Sequence, residues 1–181
     1  MTPHFDPTRA IIFDIARGQM RDDEGSERLN IPAQALLRLL EQAGTDAQKD
    51  FAQSLGSDLG RRMVDRLGKN LSDASLPLLT EHLGGQLALI GLGDLSIEQW
   101  GPALVLSVSG TPQGFTPMTG QLLGAALQRV FSRQVQLVAF EKGTTIAYLV
   151  VSEIAAARVA ALKASGASLG QVIDQLQKGA A

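Results

Sequence analysis

Side chains able to do covalent or metal chemistry are sparse in this 181-residue chain, which has two histidines, His4 and His82, and no cysteine. Without cysteine there can be no disulfide, thiolate zinc site, S-acylation or cysteine nucleophile. His4 lies in a proline-containing segment and His82 in a leucine-rich stretch beside Glu81. A lone histidine in such a setting is more often a surface or satisfied core residue than a ligand or catalyst. Asp22-Asp23-Glu24 could invite a cation, but the run lacks the ligand spacing of a calcium loop and reads as a solvated turn. No nucleophile elbow or Walker-type loop is present, and Gly91-Leu92-Gly93 precedes a strand where a phosphate loop needs a helix. The expectation is a chain with no catalytic residue, no metal and no cofactor, and therefore not an enzyme.

Composition narrows the partners. The formal charge is −2, with 45% hydrophobic and 19% charged residues, which is ordinary for a globular protein. No basic field is available to hold a nucleic-acid backbone. There is no N-terminal apolar segment and no run long enough to span a membrane, so a cytoplasmic location is expected.

The elements that would position any site are well marked. Residues 120–151 form the clearest unit. Leu122, Leu123, Ala126, Leu127 and Val130 recur at helical spacing, predicting a helix over 119–131. Gly120 and Gly124, one turn apart, each cost about 1 kcal/mol in a helix interior, so something should pack closely there. Alternation over Val135, Leu137 and Ala139, a Lys142-Gly143 turn and the run 146–151 then predict a β-hairpin.

The preceding chain begins with a loose tail over 1–9, followed by strands at 10–15 and 27–31 around an Arg17-Gly18 turn and the acidic loop. A helix carrying Leu36, Leu37, Leu39 and Leu40 should stop at Gly44. Thr45 and Gln48 suggest a capping box for the next helix, whose ridge is Phe51, Leu55, Leu59, Met63 and Leu67. Gly56 and Gly60 flank that ridge and suit close helix packing, while Arg61, Arg62 and Arg66 read as a solvated face. A third helix starts at Leu71-Ser72-Asp73 and either ends at Gly84-Gly85 or continues to Gly91. Two strands over 95–109, turning at Gly101-Pro102, and a loop over 110–118 lead to the central helix. After Val151, Ser152 can cap an alanine-rich helix, and Ser168 with Gln171 fits a capping box for a last one. That short helix carries Leu169, Val172, Ile173 and Leu176 on one face and must dock somewhere.

This order of elements resembles the 4-vinyl reductase domain, a family that includes effector-sensing domains of bacterial aromatic-responsive activators and shares its fold with subunits of the TRAPP vesicle-tethering complex. Residues 13–44 look like the family's opening hairpin and helix. SLGSDLGRRMVDRL looks like its G-x-x-x-G helix, with Gly56 and Gly60 in the motif positions. Gly120, Gly124, Phe131 and Arg133 look like its late helix and the junction before the next strand. The resemblance implies an α+β fold, an antiparallel sheet of hairpins packed against several helices, over residues 10–151, with 152–181 as an added C-terminal helical extension. It also implies a homodimer paired through helices, for which Gly56, Gly60 and Met63, or Leu169, Val172, Ile173 and Leu176, are the candidate faces. A pocket for an apolar small molecule would be lined by Trp100, Phe115, Leu123, Phe131, Phe140 and Tyr148, unless these side chains simply fill the core. Phe115, in an otherwise polar loop, could serve as a lid.

The departures are definite. The cysteines that bind zinc in many relatives, and the acylated cysteine of TRAPP-type relatives, have no counterpart here. No ATPase or DNA-binding segment lies within these residues, so an activator role is not expected of this chain itself. Two functional readings follow. One is a dimeric, non-enzymatic protein-interaction or scaffold component with a protein partner, modulated by an apolar ligand. The other is a sensor or carrier of a hydrocarbon or aromatic molecule, read out by a separate protein.

Overall fold

The computed structural model describes residues 4–68, 75–101 and 103–178. Among them, seven helices and two antiparallel sheets give the expected α+β architecture. The chain opens with α1 (Pro7–Ala10), whose Asp6 cap accepts the Thr8 N–H at 3.0 Å. A three-stranded ribbon follows, in the order β1 (Ile11–Asp14), β2 (Gln19–Asp22) and β3 (Glu27–Arg28). Helices α2 (Ala33–Ala43), α3 (Thr45–Leu67) and α4 (Leu76–Leu89) come next. The main sheet contains β4 (Asp94–Trp100) and β5 (Ala103–Ser109), then, beyond α5 (Thr116–Phe131), β6 (Gln136–Lys142) and β7 (Thr145–Val151). Its strand order is β4-β5-β7-β6. Helices α6 (Glu153–Ala164) and α7 (Leu169–Lys178) close the chain.

The main sheet is covered on both faces, which explains why β7 reads as a nearly continuous apolar run and not as an alternation. Ile146 and Tyr148 face a core built with α3, α4 and α5, while Ala147, Leu149 and Val151 face a second core. That second core is completed by Val159 of α6 and by Val172 and Ile173 of α7. Gly143, at φ +63°, makes the tight turn that leaves Lys142 opposite Thr145.

The closest helix contact is between α3 and α5. A Cβ built on Gly56 would lie 2.1 Å from the Leu122 carbonyl oxygen, and one on Gly60 would lie 2.6 Å from that of Ala126. The two glycines let the α5 backbone lie directly on α3, as their spacing predicted. Gly120 does the same for a ring: its Cβ would come within 2.8 Å of Tyr148. Gly124 is not under such pressure, since its Cβ would only touch Leu137 at 4.0 Å.

Several local expectations change. Gly44 has φ +92° and joins α2 to α3 directly, so Thr45 is already helical and makes no capping box. The Gln48 amide instead donates to the Leu40 carbonyl at 3.3 Å. The strand expected over 27–31 pairs only at Glu27–Arg28. Helix α4 runs through Gly84-Gly85 to Leu89, and the Phe5 ring packs directly over Gly85, where no Cβ would fit. The proposed start of that helix at Leu71-Ser72-Asp73 lies outside the described residues, as does Pro102 of the expected turn. His4 and Phe5 sit on α4: the Phe5 N–H donates to Glu81 Oε1 at 2.7 Å, and His4 Nδ1 meets the same oxygen at 3.0 Å. Both C-terminal caps form as read. Ser152 accepts the Ala155 N–H at 3.3 Å, and Ser168 and Gln171 exchange bonds at 2.8 and 3.4 Å.

Candidate functional site

The six side chains expected around one apolar pocket are spread over three places. Phe115, Leu123 and Tyr148 are buried in the α3–α4–α5 core, and Phe131 packs on its margin. Phe140 belongs to the second core, on the opposite face of the sheet. Trp100 is 39% exposed at the end of β4, where its Nε1–H donates to Glu98 Oε2 at 2.8 Å. Phe115 is not a lid. The Phe115 N–H donates to the Pro112 carbonyl at 3.1 Å and Phe115 caps α5, whose first turn holds Pro117; the ring turns inward and is 3% exposed.

Tyr148 illustrates how fully that core is occupied. Its O–H donates to the Thr116 carbonyl at 3.1 Å, and burial raises its ionisation to about 12. It is the sole tyrosine in the sequence, so tyrosinate absorbance reports on it alone. Ultraviolet titration is expected to show no ionisation near the ordinary value of 10, with tyrosinate appearing only toward pH 12 or on unfolding. The unfolded chain ionises first, so stability falls as pH rises above about 10. Tyr148→Phe should cost about 1 kcal/mol in urea unfolding.

The interface candidates are also satisfied within the chain. Gly56, Gly60 and Met63 are buried against α5 and its core, which leaves no face for a second chain. Leu169, Val172, Ile173 and Leu176 cover the sheet in cis, Val172 being fully buried.

The arginines of α3, expected on a solvated face, are held by the acidic segment of the ribbon. Arg62 is 2% exposed and pairs with Asp22 at 2.6 Å and Asp58 at 2.9 Å. Arg28 reaches Asp22 at 2.6 Å, Arg61 joins Asp58, Asp65 and Glu24, and Arg66 pairs with Asp23. Asp22 is 2% exposed and also accepts the backbone N–H groups of Glu24 and Ser26 at 3.1 and 2.8 Å. Asp22-Asp23-Glu24 is therefore neither a cation site nor a solvated turn but the anionic half of an anchor.

An open concavity of about 1000 Å³ lies elsewhere, between α3, α5 and the start of β6. Lys49 and Gln53 line it from α3, Arg129 from α5, and Arg133, Gln134 and Gln136 from the connection into β6. None of the six expected pocket residues lines it, and no carboxylate does. Lys49, Arg129 and Arg133 have no ion-pair partner among the described residues, although the Arg133 guanidinium lies 5.5 Å from the centre of the Phe131 ring. The floor is shaped by Gly120 and Gly124, and the corner by Ser132, whose left-handed φ of 51° turns α5 into β6. Such a conformation costs a non-glycine residue about 1 kcal/mol. The Ser132-Arg133 junction stood out in the sequence, but Lys49, far earlier in the chain on α3, carried no signal linking it to this groove.

These features define an α+β fold with an open, cation-lined groove between α3, α5 and the start of β6. The phenol-responsive sensory domain of the transcription activator PoxR, solved with phenol, superposes with a TM-score of 0.61 at 12% sequence identity, over 84% of this chain and 92% of that one. No protein-family model and no curated protein sequence matches the chain. Among the described residues no helix is long and apolar enough to cross a membrane.

Proposed function

We propose that this chain is a non-catalytic sensory module that holds a small aromatic anion, such as an aromatic carboxylate, in the α3/α5/β6 groove and presents the bound state to a separate protein. The observation that carries this reading is the set of three cations, Lys49, Arg129 and Arg133, facing a groove without a carboxylate in a protein of net charge −2. The arginines of α3 are paired with carboxylates of the ribbon and of α3 itself, whereas these three carry no ion pair among the described residues and can meet a ligand's charge. Arg133, its guanidinium 5.5 Å from the centre of the Phe131 ring behind it, supplies a cationic wall. The structural neighbour is named for a response to phenol, and an aromatic carboxylate combines that kind of ring with the charge this groove favours.

Calorimetric titration at low salt tests the reading with benzoate and hydroxybenzoates, using phenol as the neutral comparator. Carboxylates are expected to bind and to raise the melting temperature. Lys49→Gln with Arg133→Gln should weaken that binding by about tenfold or more while leaving the unliganded melting temperature within a few degrees. Carboxylates that fail to bind, or bind equally well to the double variant, overturn it.

A second reading, a protein-interaction or scaffold component, is supported by a different observation, the open apolar face of the N-terminal ribbon.

A further inference from the structure

The segment before α1 places an aromatic ring against α4. Glycine is unfavourable inside a helix, yet Gly84 and Gly85 sit side by side in α4 and each makes room for a different neighbour. A Cβ on Gly84 would press at 3.3 Å on the Leu95 carbonyl of β4, and one on Gly85 would overlap the Phe5 ring. That ring is half-buried. It stands edge-on to His82, with ring centres 6.2 Å apart at 82°, and the Arg66 guanidinium lies 5.9 Å from its centre. Arg66 is held there by Asp23. The Phe5 N–H donates to Glu81 Oε1 at 2.7 Å, and His4 Nδ1 meets both oxygens of the same carboxylate at 3.0 and 3.1 Å. These bonds hold the Glu81 carboxyl below the usual carboxylate range, so it is an anion at neutral pH.

The niche does not depend on its occupant. Its floor is helix backbone, its carboxylate belongs to α4 and its guanidinium to α3, where Asp23 fixes it. The occupant is lightly tied: His4 is 86% exposed, and Asp6 turns its bonds back to Thr8. Such a terminal segment opens locally at small cost. From ring to nitrogen, Phe5 has the skeleton of phenethylamine: an aromatic ring, two carbons, and the nitrogen that bonds Glu81. We propose that this niche is a site for a primary arylethylamine and that Phe5 is its resident, displaceable occupant. A free amine brings a positive charge and three N–H donors to the carboxylate, where Phe5 brings one neutral N–H. Its ring keeps the same edge and cation contacts. The site shares no residue with the α3/α5/β6 groove and selects the opposite charge.

Calorimetric titration of phenethylamine into the full chain tests this. Phe5→Ala empties the niche and is expected to bind the amine. Wild type should bind it with an affinity lower by about tenfold or more, because the tethered ring competes at high effective concentration. Adding Glu81→Gln to Phe5→Ala should cost about tenfold or more in affinity. Phenylpropionate, with the same ring and an anion in place of the amine, should not displace phenethylamine. A proton NMR titration of the wild type needs no folded variant: the sequence has two histidines, and millimolar amine is expected to move the His4 ring signals to their positions in a free peptide. No binding to Phe5→Ala, equal binding after Glu81→Gln, displacement by phenylpropionate, or His4 signals that stay in place overturns the proposal. Lys49→Gln with Arg133→Gln should leave amine binding unchanged, and a loss in that variant would assign the amine to the groove and overturn the niche.

Discussion

Gly56→Ala is expected to destabilise the protein by about 3 kcal/mol or more, and Gly56→Ala with Gly60→Ala to prevent folding. In a helix interior alanine is better than glycine by about 1 kcal/mol, so the sign depends on what the new methyl group meets. At Gly56 it meets the Leu122 carbonyl oxygen at 2.1 Å, with the Leu122 backbone carbons at 2.8 and 2.9 Å. Backbone cannot rotate aside as a side chain can. α5 must therefore lift from α3, and the packing of Leu122, Leu123 and Ala126 opens with it. Gly124→Ala is the internal control. Its methyl group finds only Leu137 at 4.0 Å, so the propensity term wins and stability should rise by up to about 1 kcal/mol. Urea unfolding of the three variants checks both signs. The loss at Gly56 should be independent of protein concentration, because the contact is within one chain. A loss that diminishes on concentrating the protein would restore these glycines to an intersubunit seam.

This contrast marks what could be read from the sequence. Gly56 and Gly60 beside the Phe51–Met63 ridge, the hairpin of β6 and β7, and the caps at Ser152 and Ser168 depend on residues within a turn or two of one another, and each formed as read. Thr45 misled because the local pattern of a capping box was present while Gly44 placed the helix start one residue earlier. Tertiary partners were harder to see. Phe115 looked like a lid among polar neighbours, yet its orientation is set by the flanking prolines and the core it enters. The rings of Phe140 and Tyr148 fall on opposite faces because both faces of the sheet are covered. α7 was recognisable as a stripe in need of a partner, but a stripe does not say whether its partner is in the same chain. The groove cations lie on three elements that only the fold brings together.

The arginines of α3 make the same point with a larger energy attached. Asp22→Ala is expected to cost about 3–5 kcal/mol, because it leaves the guanidinium of Arg62 buried with much of its compensation gone. Arg62→Met should cost less than the sum would suggest when combined with Asp22→Ala, since removing both ends removes the stranded charge, and a double-mutant cycle by urea unfolding measures that coupling. The pH dependence has a definite sign. Burial alone would raise the Asp22 carboxyl, but hydrogen bonds from Arg62, the Ser26 backbone and Arg28 outweigh it and hold the group below its ordinary 3.8. Asp58 is lowered too, with burial again opposed by Arg62 and Arg61. A carboxyl whose folded value is depressed contributes stability that is fully present above its unfolded value and is lost as pH falls through the folded one. Wild type should therefore be flat from neutrality down to about pH 4 and weaken below it, while Asp22→Ala loses part of that acid dependence along with its stability.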